Sequence, residues 1–383
     1  GEPLHLVLIA DPLPRLAELK TDGRSILLIN NAIHPGEPDG VDASMMLARD
    51  LVADDGTGPT ILRDVIVALI PMYNIGGALN RNSATRANQN GPEAYGFRGN
   101  ARNLDLNRDF IKCDSRNARS FAQIFHTVDP DVFIDTHVSN GADYQHVMTT
   151  AHSQKDKLGQ QLGKYLHETF EPQLFARMEQ SGFPTVPYVN SGGSPPEQGF
   201  PQFLESPRYS TGYAALFQTF GFMTETHMLK PYPQRVAATR TFLDHTLEML
   251  VEQGPTLQQL RTTDRREYCR QKTVPIAWQL DRSTASRLQF HGFEASRPDS
   301  QVTVGQRLFY DRTQPFVREV PFYNSYRASK SVTLPAGYLI PQGWHDIITL
   351  MKINGVQMHR ISANDKTKPL PTETYRIDSE SAR

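Results

Sequence analysis

Three short apolar runs in this chain each stop at, or just before, residues able to bind a metal ion or move a proton. That pattern constrains the fold more than any other. The run at 26–29 leads through Asn30 to Ile33 into His34-Pro-Gly-Glu37, the run at 132–136 closes on His137, and the run at 220–224 closes on Glu225. Short apolar runs bounded by turn residues read as buried strands. In open sheets with parallel strands, functional groups gather at the carboxyl ends of the strands. The chain is therefore expected to build a sheet that delivers these side chains into one crevice.

The surrounding pattern agrees with such a sheet. Strands are expected at 6–10, 26–30, 65–71, 132–136 and 220–224, and helices at 39–53, 116–127, 154–170 and 234–251. The last helix carries Val236, Phe242, Leu243, Leu247 and Leu250 at helical spacing. The alternation predicts an α/β fold, a mixed central sheet covered by helices. Two stretches interrupt it: 73–103, rich in Asn, Gly and Arg, and 181–210, rich in Pro, Gly and Ser. Loops of this length are usually functional or disordered, and the second, lying between His137 and Glu225, is expected to rim the site. Beyond about residue 265 come closely spaced β runs at 273–280, 287–293 and 307–311, then 338–340, a short helix opened near Pro341, and 356–361. This predicts a main domain over 1–265 and a smaller, mostly β C-terminal domain over 266–383.

Composition narrows the function. The 383 residues include 40 basic and 41 acidic ones, without a basic tract, so a nucleic-acid partner is set aside. No apolar run reaches membrane-spanning length, and no membrane role is expected. Two cysteines, Cys113 and Cys269, supply neither a disulfide framework nor a thiolate metal site. The chain opens at Gly1-Glu2-Pro3 without Met, as if a natural beginning had been removed. Oligomeric state is not legible.

The chemistry lies in four motifs. A lone H-x-x-E is common, but here it falls between a strand and the helix-start sequence Pro38-Asp39-Gly40-Val41-Asp42. His34 and Glu37 are thus candidate ligands. His137 is the best third ligand, because the rivals His146 and His152 do not close an apolar run. Two His and one Glu leave a fourth position for water, the composition of a catalytic site for one zinc ion. Asp105-Leu-Asn-Arg-Asp109 would by itself be a polar turn. Beside a metal, Asn107 and Arg108 offer an amide and a guanidinium fork for a carboxylate, so a peptide or small-molecule substrate with a free acid is expected. Arg98 and Arg102 are candidates to hold an oxyanion. Glu225 is the candidate general base, with His227 as rival or supporting partner.

The order H-x-x-E, N-R, H, E resembles that of the zinc metallocarboxypeptidase family, the carboxypeptidase A-like peptidases, over roughly residues 1 to 250. The stretch from Arg98 to Asp109 is similar to the family's run from its catalytic Arg to its Asn-Arg clamp. The resemblance implies zinc on His34, Glu37 and His137, a clamp of Asn107 and Arg108, Arg98 rather than Arg102 at the oxyanion, and Glu225 as base. It also implies a Tyr that closes over the substrate, for which Tyr209 is preferred to Tyr213, and a periplasmic or secreted location. The expected activity is hydrolysis of a C-terminal peptide bond by metal-activated water. One alternative is a deacylase of N-acyl amino acids, aspartoacylase-like or succinylglutamate desuccinylase-like. Such enzymes typically read His-Gly-Asn-Glu at the first ligand loop, where this chain has His-Pro-Gly-Glu. Another is an inactive module that holds peptide termini, against which the retention of all three ligands and the Glu argues.

Overall fold

The computed structural model describes residues 2–53, 57–362, 372–374 and 376. The first part of the chain contributes strands β1 (Val7–Ile9), β2 (Ser25–Asn30), β3 (Val65–Ile70), β4 (Val132–Ser139), β5 (Met148–His152), β6 (Val186–Pro187), β7 (Phe200–Pro201) and β8 (Phe220–His227). All but β7 form one mixed sheet of seven strands in the order β1-β3-β2-β4-β8-β5-β6. Strands β3, β2, β4 and β8 are mutually parallel, whereas β1 and β5 run against their neighbours β3 and β8. Every residue of β2, β3 and β4 is buried. Their near-continuous apolar runs are what strands covered on both faces require.

The helices of this part are α1 (Asp39–Leu51), α2 (Thr57–Leu62), α3 (Ile75–Leu79), α4 (Arg116–Val128), α5 (Gln160–Tyr165), α6 (Glu171–Gln180), α7 (Ser210–Ala215) and α8 (Tyr232–Tyr268), of which α2, α3, α6 and α7 were not expected from the sequence. Because side chains alternate along a strand, Leu27 and Ile29 pack with Leu47, Phe242 and Leu247 on one face. Ile26 and Leu28 pack with Phe121, Phe125 and Tyr213 on the other. From β2 the sheet extends to β3 on one side and to β4 on the other. Such a reversal opens a crevice at the carboxyl ends of the strands, which is where His34 and His137 lie.

Three expectations change. The helix expected at 154–170 is broken into a short turn at Lys155–Lys157, α5, a π-helical turn at Leu166–Phe170 and α6. The helix expected to end near 251 continues through Pro255 to Tyr268. Buried Leu257, Arg261 and Asp264 continue its inner face, and Arg261 pairs with Asp129 at 3.0 Å and with Asp131. Those contacts outweigh the local penalty of proline, about 3 kcal/mol. Residues 338–340 and 356–361 form no strand. Tyr338 and Leu339 are exposed and no strand pairs with them, so the short apolar run has nothing to bury against.

After α8 come β9 (Thr273–Leu280), β10 (Ser286–Ser296), β11 (Phe309–Tyr323), β12 (Tyr326–Thr333) and α9 (His345–Ile353). β10 and β11 join β7 in a three-stranded sheet, and β12 pairs with β9. Phe290, Val320 and Phe322 pack with Tyr144 and Phe200 of the preceding part. Among the described residues, no helix is long and apolar enough to cross a membrane.

Candidate metal centre

The loop from β2 to α1 carries His34 and Glu37, and Glu37 N donates to His34 O at 2.9 Å to close the turn. Gly36 leaves room for Arg86, whose Cδ would lie 2.7 Å from any Cβ placed there. The start of α1 is fixed by a buried ion pair: Arg235 Nε donates to Asp39 Oδ2 at 2.8 Å, and Thr226 Oγ1 donates to the same oxygen at 2.6 Å. Arg235 also donates to Asn90 O and Gly91 O, so one guanidinium ties α8 and the 73–103 loop to the ligand turn. Breaking such a buried pair typically costs 3–5 kcal/mol, roughly.

On the sheet, β4 and β8 pair with His137 directly opposite Glu225. The geometry of the three proposed ligands follows from their partners. His34 Nε2 donates to Asp105 Oδ1 at 3.0 Å and His137 Nε2 donates to Asp135 Oδ2 at 2.9 Å. Each ring thereby turns its Nδ1 toward Glu37, at 3.2 Å for His34 and 3.0 Å for His137. One ligand atom from each residue fits within 4.8 Å of the others, and all three residues are buried. A nitrogen, nitrogen, oxygen set backed by carboxylates on the far ring nitrogens fits zinc.

Electrostatics sharpen the picture. Burial alone would push the Glu37 carboxyl up, but His34, Arg86 and His137 together hold it well below the usual range. Burial disfavours a charged His137, yet Asp135 and Glu37 raise its pKa well above that of free imidazole. Glu225 is pushed up to about 7, chiefly by burial, with His137 opposing and the charge of Glu37 adding. A dication at the three ligands would lower it again.

All the site residues expected from the sequence line one cleft of about 380 Å³. On one side Asn107 is buried, and its Oδ1 has no hydrogen-bond partner among the described residues. Arg108 lies with Cζ 4.4 Å from the centre of the Tyr209 ring. Arg98 reaches over the rim, donating to Asp105 Oδ2 at 2.9 Å and to His34 Nδ1 at 3.3 Å. The rejected rivals have other work. Tyr213 is a core residue bonded to His126 and Asn354. Arg102 is exposed, and His227 bonds to Ala142 O at 2.9 Å. His146 contacts Pro184 O and accepts from His291 N, and His152 bonds to Gln202.

The sequence reading missed Arg86, Asp135 and Tyr188. Arg86 donates to Glu37 Oε1 at 2.6 Å and to Val138 O at 2.8 Å, joining the ligand to β4. Asp135 carried a usable signal, since Asp-x-His in a strand places both side chains on one face. Arg86 carried none beyond its place in a loop with three other arginines, Arg81, Arg98 and Arg102.

Residues 1–165 match the model of the zinc carboxypeptidase family. No curated protein matches the chain. Similar solved structures include a metallo-carboxypeptidase from Burkholderia cenocepacia, at 16% identity and TM-score 0.46, covering 66% of this chain and 62% of that one. A metallo-carboxypeptidase from Pseudomonas aeruginosa in complex with (2-guanidinoethylmercapto)succinic acid is 16% identical, with TM-score 0.46 and coverage of 65% and 61%. Carboxypeptidase A from Helicoverpa armigera is 13% identical, with TM-score 0.44 and 66% coverage of each chain. This chain thus spans about three fifths of the length of the two bacterial structures.

Proposed function

We propose that the protein is a zinc-dependent metallocarboxypeptidase that removes the C-terminal residue of a peptide. The observation that carries this reading is the convergence, in one cleft, of the His34, Glu37 and His137 set, the buried carboxyl of Glu225 and the cation of Arg108. Zinc held by the three ligands supplies Lewis acidity to the scissile carbonyl and to water. Asn107 and Arg108 hold the terminal carboxylate, and Tyr209 closes over it, so that the last peptide bond alone lies beside the ligands. Glu225, a buried carboxyl directly across the sheet from His137, takes the proton of the attacking water and returns it to the leaving amine. Arg98 stabilises the oxyanion as it develops. In this reading residues 1–265 are the catalytic unit, 266–383 are accessory, and the protein is exported, which fractionation of the source cells tests.

The test is a peptide offered as free acid and as C-terminal amide to the zinc-loaded protein, with products read by mass. Amidation removes the charge that Arg108 pairs with and is expected to cut kcat/KM by roughly a hundredfold or more. Arg108→Met is expected to abolish the preference. Equal cleavage of acid and amide by the wild type, or undiminished discrimination by Arg108→Met, would replace this reading with an endopeptidase or acylase.

A further inference from the structure

A second cavity, of about 750 Å³, adjoins the cleft and shares Asn140 and Tyr188 with it. Residues 140–143 and 188–193 line it from the loops of the central sheet, and residues 308–313, at the head of β11, line it from the C-terminal part. Residues 308–313 lie outside the segment that matches the zinc carboxypeptidase family. The two parts are fastened together beside the cavity. Gln145 N donates to His291 O at 2.9 Å, and the Gln145 side chain donates to Gly292 O and Phe316 O. Arg312 Nε donates to Asp143 Oδ2 at 2.6 Å, and Arg297 donates to Gly193 O at 3.2 Å.

Val189, Leu229, Leu308 and Phe309 give the cavity apolar walls. Polar residues, among them Asn140, Asp143, Asn190, Asp311 and Arg312, interrupt them. Asp143 is 8% exposed and its Oδ1 has no hydrogen-bond partner among the described residues; the same holds for Tyr310 Oη. Lys230 Nζ stands 3.9 Å from that carboxylate oxygen and forms an ion pair with it. Asp143 is thus neutralised by Lys230 and Arg312, and the cavity offers an apolar group the walls of Val189, Leu229, Leu308 and Phe309.

Asn107, Arg108 and Tyr209 line the cleft but not this cavity. A peptide anchored at Arg108 by its terminus, and crossing the three ligands, would continue past Tyr188 into the larger space. An extended chain advances by at most about 3.6 Å per residue, and cavities of this size enclose ligands rather than single groups. We propose that the 750 Å³ cavity binds the part of the substrate upstream of the scissile bond, with an apolar side chain against Val189, Leu308 and Phe309. The inference rests on the carboxypeptidase reading and narrows the substrate class to oligopeptides with an apolar residue two or three positions before the terminal one. It is a site of which β11 forms one wall.

The experiment compares kcat/KM of the zinc-loaded protein on N-acetyl tetrapeptides that differ only by Leu or Gly two positions before the terminal residue, with an N-acetyl dipeptide as reference. The expected Leu-over-Gly ratio is about tenfold or more, with the dipeptide slower than either tetrapeptide. Phe309→Ala and Val189→Asp, each checked by its melting transition, are expected to bring the ratio to within about twofold. Calorimetric binding of the two tetrapeptides to Glu225→Gln is expected to show the same preference without turnover. Release of terminal residues with equal efficiency from all three peptides overturns the subsite and leaves the carboxypeptidase reading intact. Release from none of them overturns both. Variants that retain the Leu preference assign it to other residues and also overturn the proposal.

Discussion

β3 and β11 are both strands, yet they are held in opposite ways. All six residues of β3 are buried, and its sequence is an unbroken apolar run, Val65 to Ile70. β11 is more than twice as long but buries only Val320 and Phe322, near the end that pairs with β7. The central sheet is held over its whole area and delivers its catalytic candidates from strand ends that have nowhere to move. The C-terminal sheet is held at one apolar patch and by a few polar ties, and the start of β11, tied to Asp143 through Arg312, lines the cavity. The central sheet is thus a rigid scaffold, and the start of β11 is proposed to shape what the protein binds.

The sharpest break between the two is expected at Glu225. Glu225→Gln removes a buried carboxyl without changing its shape, and should lower kcat on a good peptide by roughly a hundredfold to ten-thousandfold if it is the proton carrier. Urea unfolding at pH 7 should show the same variant at least as stable as the wild type, since no packing is lost and the amide cannot ionise in the buried site. Activity within about tenfold of wild type would move the proton transfer to another group.

Stability should divide along the same line. Phe133, fully buried in β4 against Phe110, Phe121 and Phe125, is expected to cost about 3–5 kcal/mol when cut to alanine. Val317, 57% exposed on β11, should cost no more than about 0.5 kcal/mol under the same change. Urea midpoints of the two variants check this, and similar losses at both sites would end the distinction drawn here.

Acid should act on both regions and on the seam between them. Burial pushes His126 and His227 down to about 4, with Lys20 and Lys230 adding, and pushes His146 down to about 3. Each is held neutral in the fold but takes a proton in the unfolded chain below about pH 6.5. Their contribution is therefore complete above that pH and is lost as pH falls toward 4, by up to about 1.4 kcal/mol per histidine per pH unit. Glu225 works in the other direction, because a carboxyl raised to about 7 gains its proton earlier in the fold than in the unfolded chain. Urea titrations of Glu225→Gln between pH 7 and 4.5, repeated with His126→Asn added, read that histidine's share as the difference between the two profiles, and identical slopes would refute its role.

How much of this was legible depended on how local each cause was. His34, Glu37, His137 and Glu225 could be found because each follows or closes an apolar run, and the sheet turns those ends to one crevice. Tyr209 and Tyr213 stand in one turn of sequence, and only the fold separates them: the Tyr213 hydroxyl meets His126 and Asn354, the latter 141 positions away. The extension of α8 past Pro255 depends on Asp129 and Asp131, which no helical pattern could foresee. Residues 338–340 had the composition of a strand but not the neighbour that makes one.

The smallest expected effect concerns the carboxylates behind the ligands, and it tests whether rigidity around the metal centre is itself functional. Asp135 is fully buried, accepts from His137 Nε2 and also from Asn30 Nδ2 at 2.9 Å, and so fixes the ring from inside the sheet. Asp105 has a side chain 29% exposed and shares its charge between His34 and Arg98. Substituting such partners typically weakens metal binding by about 10- to 100-fold while leaving the ligands in place. Asp135→Asn should fall toward the upper end of that range, because no solvent can replace the lost charge there. Asp105→Asn should fall toward the lower end, since water reaches it. Zinc affinities from competition with a chelator decide the order. If Asp105→Asn is the more damaging, the exposed loop rather than the buried strand holds the centre in shape, and the division between sheet and surface would have to be redrawn around that loop.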